Sequence, residues 1–221
     1  MGNWIKIRAA DGFELSAYRD GPENAAHCLV VGQEVFGVNR HMRYACAQLA
    51  TEGFAVIAPA LLDRAERDVD LGYGTDDLQH GIELRARIPQ AATLADLLAA
   101  REVFGARKVG VIGYCWGGRV AWWGATRSTR FDAAVAWYGG GLAADKDERP
   151  HCPVQMHFGE KDHSIPLSDV EAIRAAQPGV ETFIYEGAAH GFGCEERPMF
   201  DPTAYALAQS RSVDFLRRHL G

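Results

Sequence analysis

The chain has 221 residues and sets 23 Lys and Arg against 29 Asp and Glu, a net charge of −6 with histidine neutral, which excludes a general attraction to nucleic acid. With 48% hydrophobic and 24% charged residues the composition is that of a globular protein able to bury one core, and a single domain over residues 1–221 is expected. Five cysteines, Cys28, Cys46, Cys115, Cys152 and Cys194, form no Cys-x-x-Cys pair and imply reduced thiols rather than a disulfide framework.

The N-terminal "MGNWIKIRAADGFELSAY" alternates polar and apolar residues and lacks the apolar centre of a secretion signal. Lys6 stands where a myristoylation signal needs Ser or Thr, and no run approaches the ~18 apolar residues of a membrane span. A cytoplasmic protein without membrane or nucleic-acid partners is expected, monomeric or a small homo-oligomer.

"WIKIRA" and "FELSAY" flank the turn-forming Asp11-Gly12 and predict an opening antiparallel hairpin. "CLVVG", "FAVIAPA", "KVGVIG", "AAVAWYG", "VQMHFG" and "TFIYEG" follow as short apolar runs, alternating with amphipathic stretches that predict helices over 40–51, 92–104, 119–127, 168–176 and 203–220. That rhythm is the rhythm of βα units, and it predicts an α/β fold with about eight strands in a mostly parallel sheet. The segment "LLDRAERDVDLGYGTDDLQHGIELRARIPQ" reads equally as an excursion over the C-terminal edge of the sheet or as a solvated loop with one short helix.

Ligands of such sheets bind beyond the carboxyl ends of the strands. Those positions hold Glu34 in "QEVFGVN", Cys115 in "GYCWGG", Asp162 in "EKDHSIP" and His190 in "AAHGF". In "GYCWGG" small residues surround a cysteine where a strand turns into a helix; such a corner strains the central residue, lifts its side chain above the sheet and points helix amides at it. A buried structural cysteine is the plainer reading of the pentapeptide alone. Nucleophile, acid and histidine nevertheless occur in the chain order this architecture needs.

Taken together, "QEVFGVN", "GYCWGG", "GEKDHSIP" and "AHGF" resemble the dienelactone hydrolase family of the α/β-hydrolase superfamily over nearly the whole chain. The resemblance implies an α/β-hydrolase fold and hydrolysis of a lactone or carboxylic ester through an acyl-cysteine. Cys115 would be the nucleophile, His190 the base and acid, Asp162 its orienter, and Glu34 a contact of the resting cysteine that helps switch it to the attacking form. Backbone amides of Val35 and Trp116 would form the oxyanion hole. Phe36, Tyr138, Phe192 and Arg85 are candidate substrate contacts, whereas Trp122 and Trp123 read as core. The pairs His151–Cys152 and His190–Cys194 supply no set of four ligands, so no metal or other cofactor is expected.

One departure concerns substrate. The family's namesakes grip a carboxylate with arginines, one of them shortly after the histidine, whereas "HGFGCEERP" has Cys194 there and Arg197 only later. Transfer to another acceptor, thioester hydrolysis, redox sensing by Cys115 and noncatalytic binding are the competing readings. A redox sensor gains from a resolving cysteine, and none lies beside Cys115 in the sequence.

Overall fold

A computed structural model describes residues 2–221. Its centre is a sheet of eight strands in the order β1-β2-β4-β3-β5-β6-β7-β8. β1 (Asn3–Arg8) and β2 (Glu14–Asp20) form the antiparallel hairpin. Its turn uses Gly12 at φ +86°, with the Phe13 amide donating to Asp11 Oδ1 at 3.1 Å. β2 pairs antiparallel with β4 (Ala55–Pro59), and every later pairing is parallel.

β3 (Cys28–Gly32), β5 (Val109–Tyr114), β6 (Ala133–Trp137) and β7 (Val154–Gly159) are buried throughout. The apolar sequences of β3, β5 and β6 follow from that burial, because helices cover both faces of the sheet, whereas β7 buries Gln155 and His157 as well. β8 (Glu181–Tyr185) closes the far edge and is only partly buried.

The helices are α1 (Arg40–Thr51), α2 (Thr75–Ala86), α3 (Gln90–Glu102), α4 (Trp116–Thr126), α5 (Leu167–Ala176) and α6 (Pro202–Leu220). α1 begins at Asn39, whose Oδ1 accepts from the Met42 amide at 3.1 Å. α6 begins at Asp201, which caps Thr203 and Ala204 with proline in the first turn. None of the helices is long and apolar enough to cross a membrane.

Two elements differ from the sequence expectation. α4 starts at Trp116 rather than at Arg119, because Gly117 and Gly118, poor helix formers in isolation, are required there by contact with the sheet. The segment after β4 is an excursion with substantial helix: a short 3-10 turn at Leu61–Arg64 leads to α2, which exposes Leu78 and Ile82.

β3 lies between β4 and β5 in a chain where β4 follows β3 directly. The strand order therefore reverses at β3 and β5, and such a reversal opens a crevice at the carboxyl ends of the two strands. Gly32 and Gly113 pair at that end, immediately before Glu34 and Cys115.

Candidate active site

Cys115 occupies φ +54° and ψ −117° between β5 and α4, a region costly for any residue with a Cβ. Its amide is tied to the Trp137 carbonyl at 3.0 Å, and its carbonyl accepts from the Gly118 amide at 3.0 Å. The corner closes only because its neighbours are small. A Cβ on Gly113 would stand 1.9 Å from the Gly117 carbonyl oxygen, and one on Gly117 would stand 2.1 Å from that of Gly32.

The sulfur of the half-buried Cys115 meets His190, whose Nε2 lies 3.2 Å from Cys115 Sγ. His190 Nδ1 lies 2.7 Å from Asp162 Oδ2, and Asp162 Oδ1 accepts from the amides of Ser164 and Ile165 at 2.8 and 3.1 Å. The loop after β7 thus fixes the carboxylate, which in turn orients the imidazole that follows β8. Burial opposes a charge on His190, but the Cys115 sulfur and the Asp162 carboxylate outweigh it and lift its pKa to about 10.

A cavity of about 480 Å³ opens over this trio. Val35, Phe36, Trp116 and Met199 line it together with Leu78, Ile82 and Arg85 of α2. The backbone amides of Val35 and Trp116, both residues of the wall, make no hydrogen bond among the described residues, which leaves two donors without a partner. Lys161, His163 and Arg197 also reach the wall, and the lining contains no Asp or Glu. Arg197 lies over the rings of Phe36 and Tyr73 at 5.9 and 5.5 Å. Neither Arg85 nor Arg197 has an ion-pair partner among the described residues. A larger hollow of about 560 Å³ beside Trp4, Lys6 and Asp63 has no histidine in its lining.

Other expected contacts fall elsewhere. Tyr138 and Phe192 are fully buried and absent from the cavity wall. Tyr138 takes φ +36° as the chain leaves β6 and packs edge-on behind His190 with ring centroids 5.3 Å apart. Phe192 follows Gly191 at φ +78°, turns inward and stacks on Trp137 at 5.5 Å. Both support the imidazole loop from below. Trp122 and Trp123 are core, as expected, with indole nitrogens bonded to Asp145.

Glu34 is the largest departure. Its Oε2 accepts from the Tyr73 hydroxyl at 3.0 Å, and the structure holds no hydrogen bond between it and Cys115, whose sulfur faces His190. Glu34, His41 and Cys194 instead form a buried group of potential ligands within 4.8 Å of one another. His41 Nδ1 lies 2.8 Å from Glu195 Oε2. Burial works against a charge on His41, while Cys194 and Glu195 favour it and raise its pKa to about 10. Sequence spacing missed this cluster because its members come from the end of β3, the start of α1 and the loop before α6.

The reversed strand order, the strained corner and its neighbouring groups define an α/β hydrolase. Within that class, the chain belongs to the dienelactone hydrolase family: the model of that family matches residues 15–220. The carboxymethylenebutenolidase of Pseudomonas putida is 31% identical to it over 96% of this chain and 94% of its own length. Solved structures with the same fold include a dienelactone hydrolase from Anabaena variabilis, with TM-score 0.73 and 16% identity over 100% of this chain and 99% of that one. Another is a dienelactone hydrolase-like promiscuous phosphotriesterase from metagenomic libraries, with TM-score 0.78 and 21% identity over 100% and 99%. The protein is a hydrolase of the dienelactone hydrolase type.

Proposed function

We propose that this enzyme hydrolyses a lactone or carboxylic ester bearing an anionic group, through an acyl-cysteine formed on Cys115. The observation that carries the reading is the continuous chain from Cys115 Sγ to His190 to Asp162, at 3.2 and 2.7 Å, opening into a cavity lined by cations.

In the first step the Cys115 sulfur attacks the carbonyl carbon and its proton resides on His190. The tetrahedral oxyanion accepts hydrogen bonds from the Val35 and Trp116 amides, donors typically worth about 10²–10³ in rate each. Collapse breaks the ester C–O bond and leaves the acyl group on sulfur. His190 returns its proton to the departing oxygen, or to solvent where that oxygen leaves as an anion, and is neutral again. Water then enters, His190 takes its proton, and the second collapse releases the acid and restores the thiol. Asp162 holds the imidazole in the tautomer and orientation both steps require. The role for Glu34 implied by the family, contact with the resting cysteine, would need the Cys115 sulfur to turn away from His190, which it faces at 3.2 Å, and these steps do not draw on it.

Cation placement supports the anionic substrate. Arg197, lying later in the sequence than the family's arginine, still reaches the wall, and Arg85 joins it from α2. Neither is neutralised within the protein, so a carboxylate entering the cavity would find free donors.

Incubation with an activated ester tests the proposal directly. One acyl group should appear on Cys115 by intact mass and peptide mapping, and Cys115→Ala should abolish both adduct and turnover. An adduct on another cysteine, or turnover surviving in Cys115→Ala, would overturn it. A reversible sulfenic acid without ester turnover would instead establish the redox reading.

A further inference from the structure

We propose that Glu34, His41 and Cys194 form a binding site for a divalent cation of the zinc class, buried beside the catalytic corner and separate from it. The three residues offer a carboxylate oxygen, an imidazole nitrogen and a thiol sulfur, all within 4.8 Å of one another. Zinc accepts this mixture, with ligands at about 2.0–2.3 Å in a tetrahedron, so closing the group around an ion needs side-chain movements of about an ångström.

The second observation is what these groups lack. Glu34 Oε1 and His41 Nε2 are buried with no hydrogen-bond partner, in residues only 0% and 2% exposed. Two unpartnered polar atoms at one buried place carry a desolvation cost of about 1–3 kcal/mol each, and one ion between them would remove both penalties. The supporting contacts also fit. His41 commits Nδ1 to the Glu195 carboxylate at 2.8 Å, which is how metal-bound histidines are commonly oriented. Glu34 commits its other oxygen to Tyr73 at 3.0 Å, leaving Oε1 for the ion. Coordination releases the thiol proton of Cys194, and any proton on His41 Nε2, to solvent. A fourth position remains for water.

Such an ion would hold Glu34 in its place beneath the cavity. Because Val35 follows Glu34 directly, the ion would also pin the backbone that presents the Val35 amide. The site itself does not depend on the catalytic reading, and the test keeps the two apart.

The full-length protein, freed of metal by chelation, is titrated with zinc against a chromophoric chelator, with bound metal counted by elemental analysis and cobalt used as a spectroscopic probe. The proposal expects one ion per chain, a thiolate-to-cobalt charge-transfer band, and both features intact in Cys115→Ala. Cys194→Ser should lose the band, and His41→Gln should lose tight binding. Glu195→Gln, which keeps all three ligands, should weaken binding by about 10–100-fold. Binding that disappears in Cys115→Ala would assign the ion to the catalytic pair and overturn the proposal. Binding unchanged in Cys194→Ser and His41→Gln, or no stoichiometric binding at all, would overturn it as well; the latter would leave the unpartnered atoms to buried water.

Discussion

At the scale of single residues, Arg197 brings a cation to the cavity wall although Cys194 occupies the position expected for one. Cys194 fills the place read from the family pattern, and the guanidinium arrives later in the same loop, standing against Phe36 and Tyr73. A Cβ on Gly191 would lie 2.5 Å from Arg197 Nη1, so that glycine also gives the side chain its path. Arg197→Gln removes the charge while keeping a polar, shorter side chain. For a carboxylated ester measured beside its uncharged analogue, the kcat/KM ratio should fall by about 10–100-fold, the worth of one charge-assisted hydrogen bond. An unchanged ratio would mean that Arg197 reads no charge on the substrate. Cys115, Asp162 and His190 were legible because each sits just past a strand, where position in the chain fixes position in space. Tyr138 and Phe192 also follow strand ends, but their inward turn depends on backbone torsions that a sequence pattern does not reveal. Glu34 was legible as a buried strand-end carboxylate, yet its partners His41 and Cys194 are distant in sequence and carried no common signal.

At the scale of elements, α4 and the strands below it behave as one tightly fitted unit. Gly32, Gly113 and Gly117 bring the backbone of α4 against the ends of β3 and β5, and no larger residue can enter without moving the corner. Gly117→Ala should therefore cost about 1–3 kcal/mol by overpacking, seen as a Tm lowered by several degrees. Gly179→Ala, where an added Cβ meets nothing within 4 Å, should remain within about 0.5 kcal/mol of the parent. A Gly117→Ala protein with parental Tm would show that the close contact is not limiting. The same contact explains why α4 starts earlier than its sequence suggests: local propensity argues against a helix at Gly117 and Gly118, and packing decides otherwise. The hairpin is readable from its alternation around the Asp11-Gly12 turn, and the central strands from short, largely apolar runs bounded by turns. α2 is harder, since its mixed charges suit a loop as well as a helix and its apolar residues divide between the cavity, with Leu78 and Ile82, and the core, with Leu84.

At the scale of the whole molecule, a buried polar network joins the far strands to the C-terminal helix. His157 lies 2.8 Å from the Tyr185 hydroxyl, 2.9 Å from Gln155 Oε1 and 3.0 Å from Ser212 Oγ, and Trp137 Nε1 donates to the same serine at 3.0 Å. β6, β7, β8 and α6 are thereby tied together beneath the loops that carry Asp162 and His190. Burial, with the nearby charge of Arg211, lowers the pKa of His157 to about 3. An unfolded histidine titrates near 6.5, so the unfolded chain binds the extra proton. This contribution to stability is complete above about pH 6.5 and is lost as pH falls toward 3. Between pH 7 and pH 5 it amounts to about 2 kcal/mol. Denaturant unfolding across that range should show a steeper acid loss in the parent than in His157→Gln. Equal slopes would mean that His157 is not the group taking up the proton.

The glycine contacts beneath Cys115 carry a consequence for how this scaffold can diversify. Beneath Cys115 backbone is pressed against backbone, which tolerates almost no exchange; the cavity wall presents Leu78, Ile82 and Arg85 on the partly exposed α2, together with Met199. On the proposed function, chemistry and selectivity are therefore mounted on separate parts of the molecule, a fixed floor and a replaceable wall. New substrates can be reached by changing the wall while the sulfur, the imidazole and the two amides remain where they are.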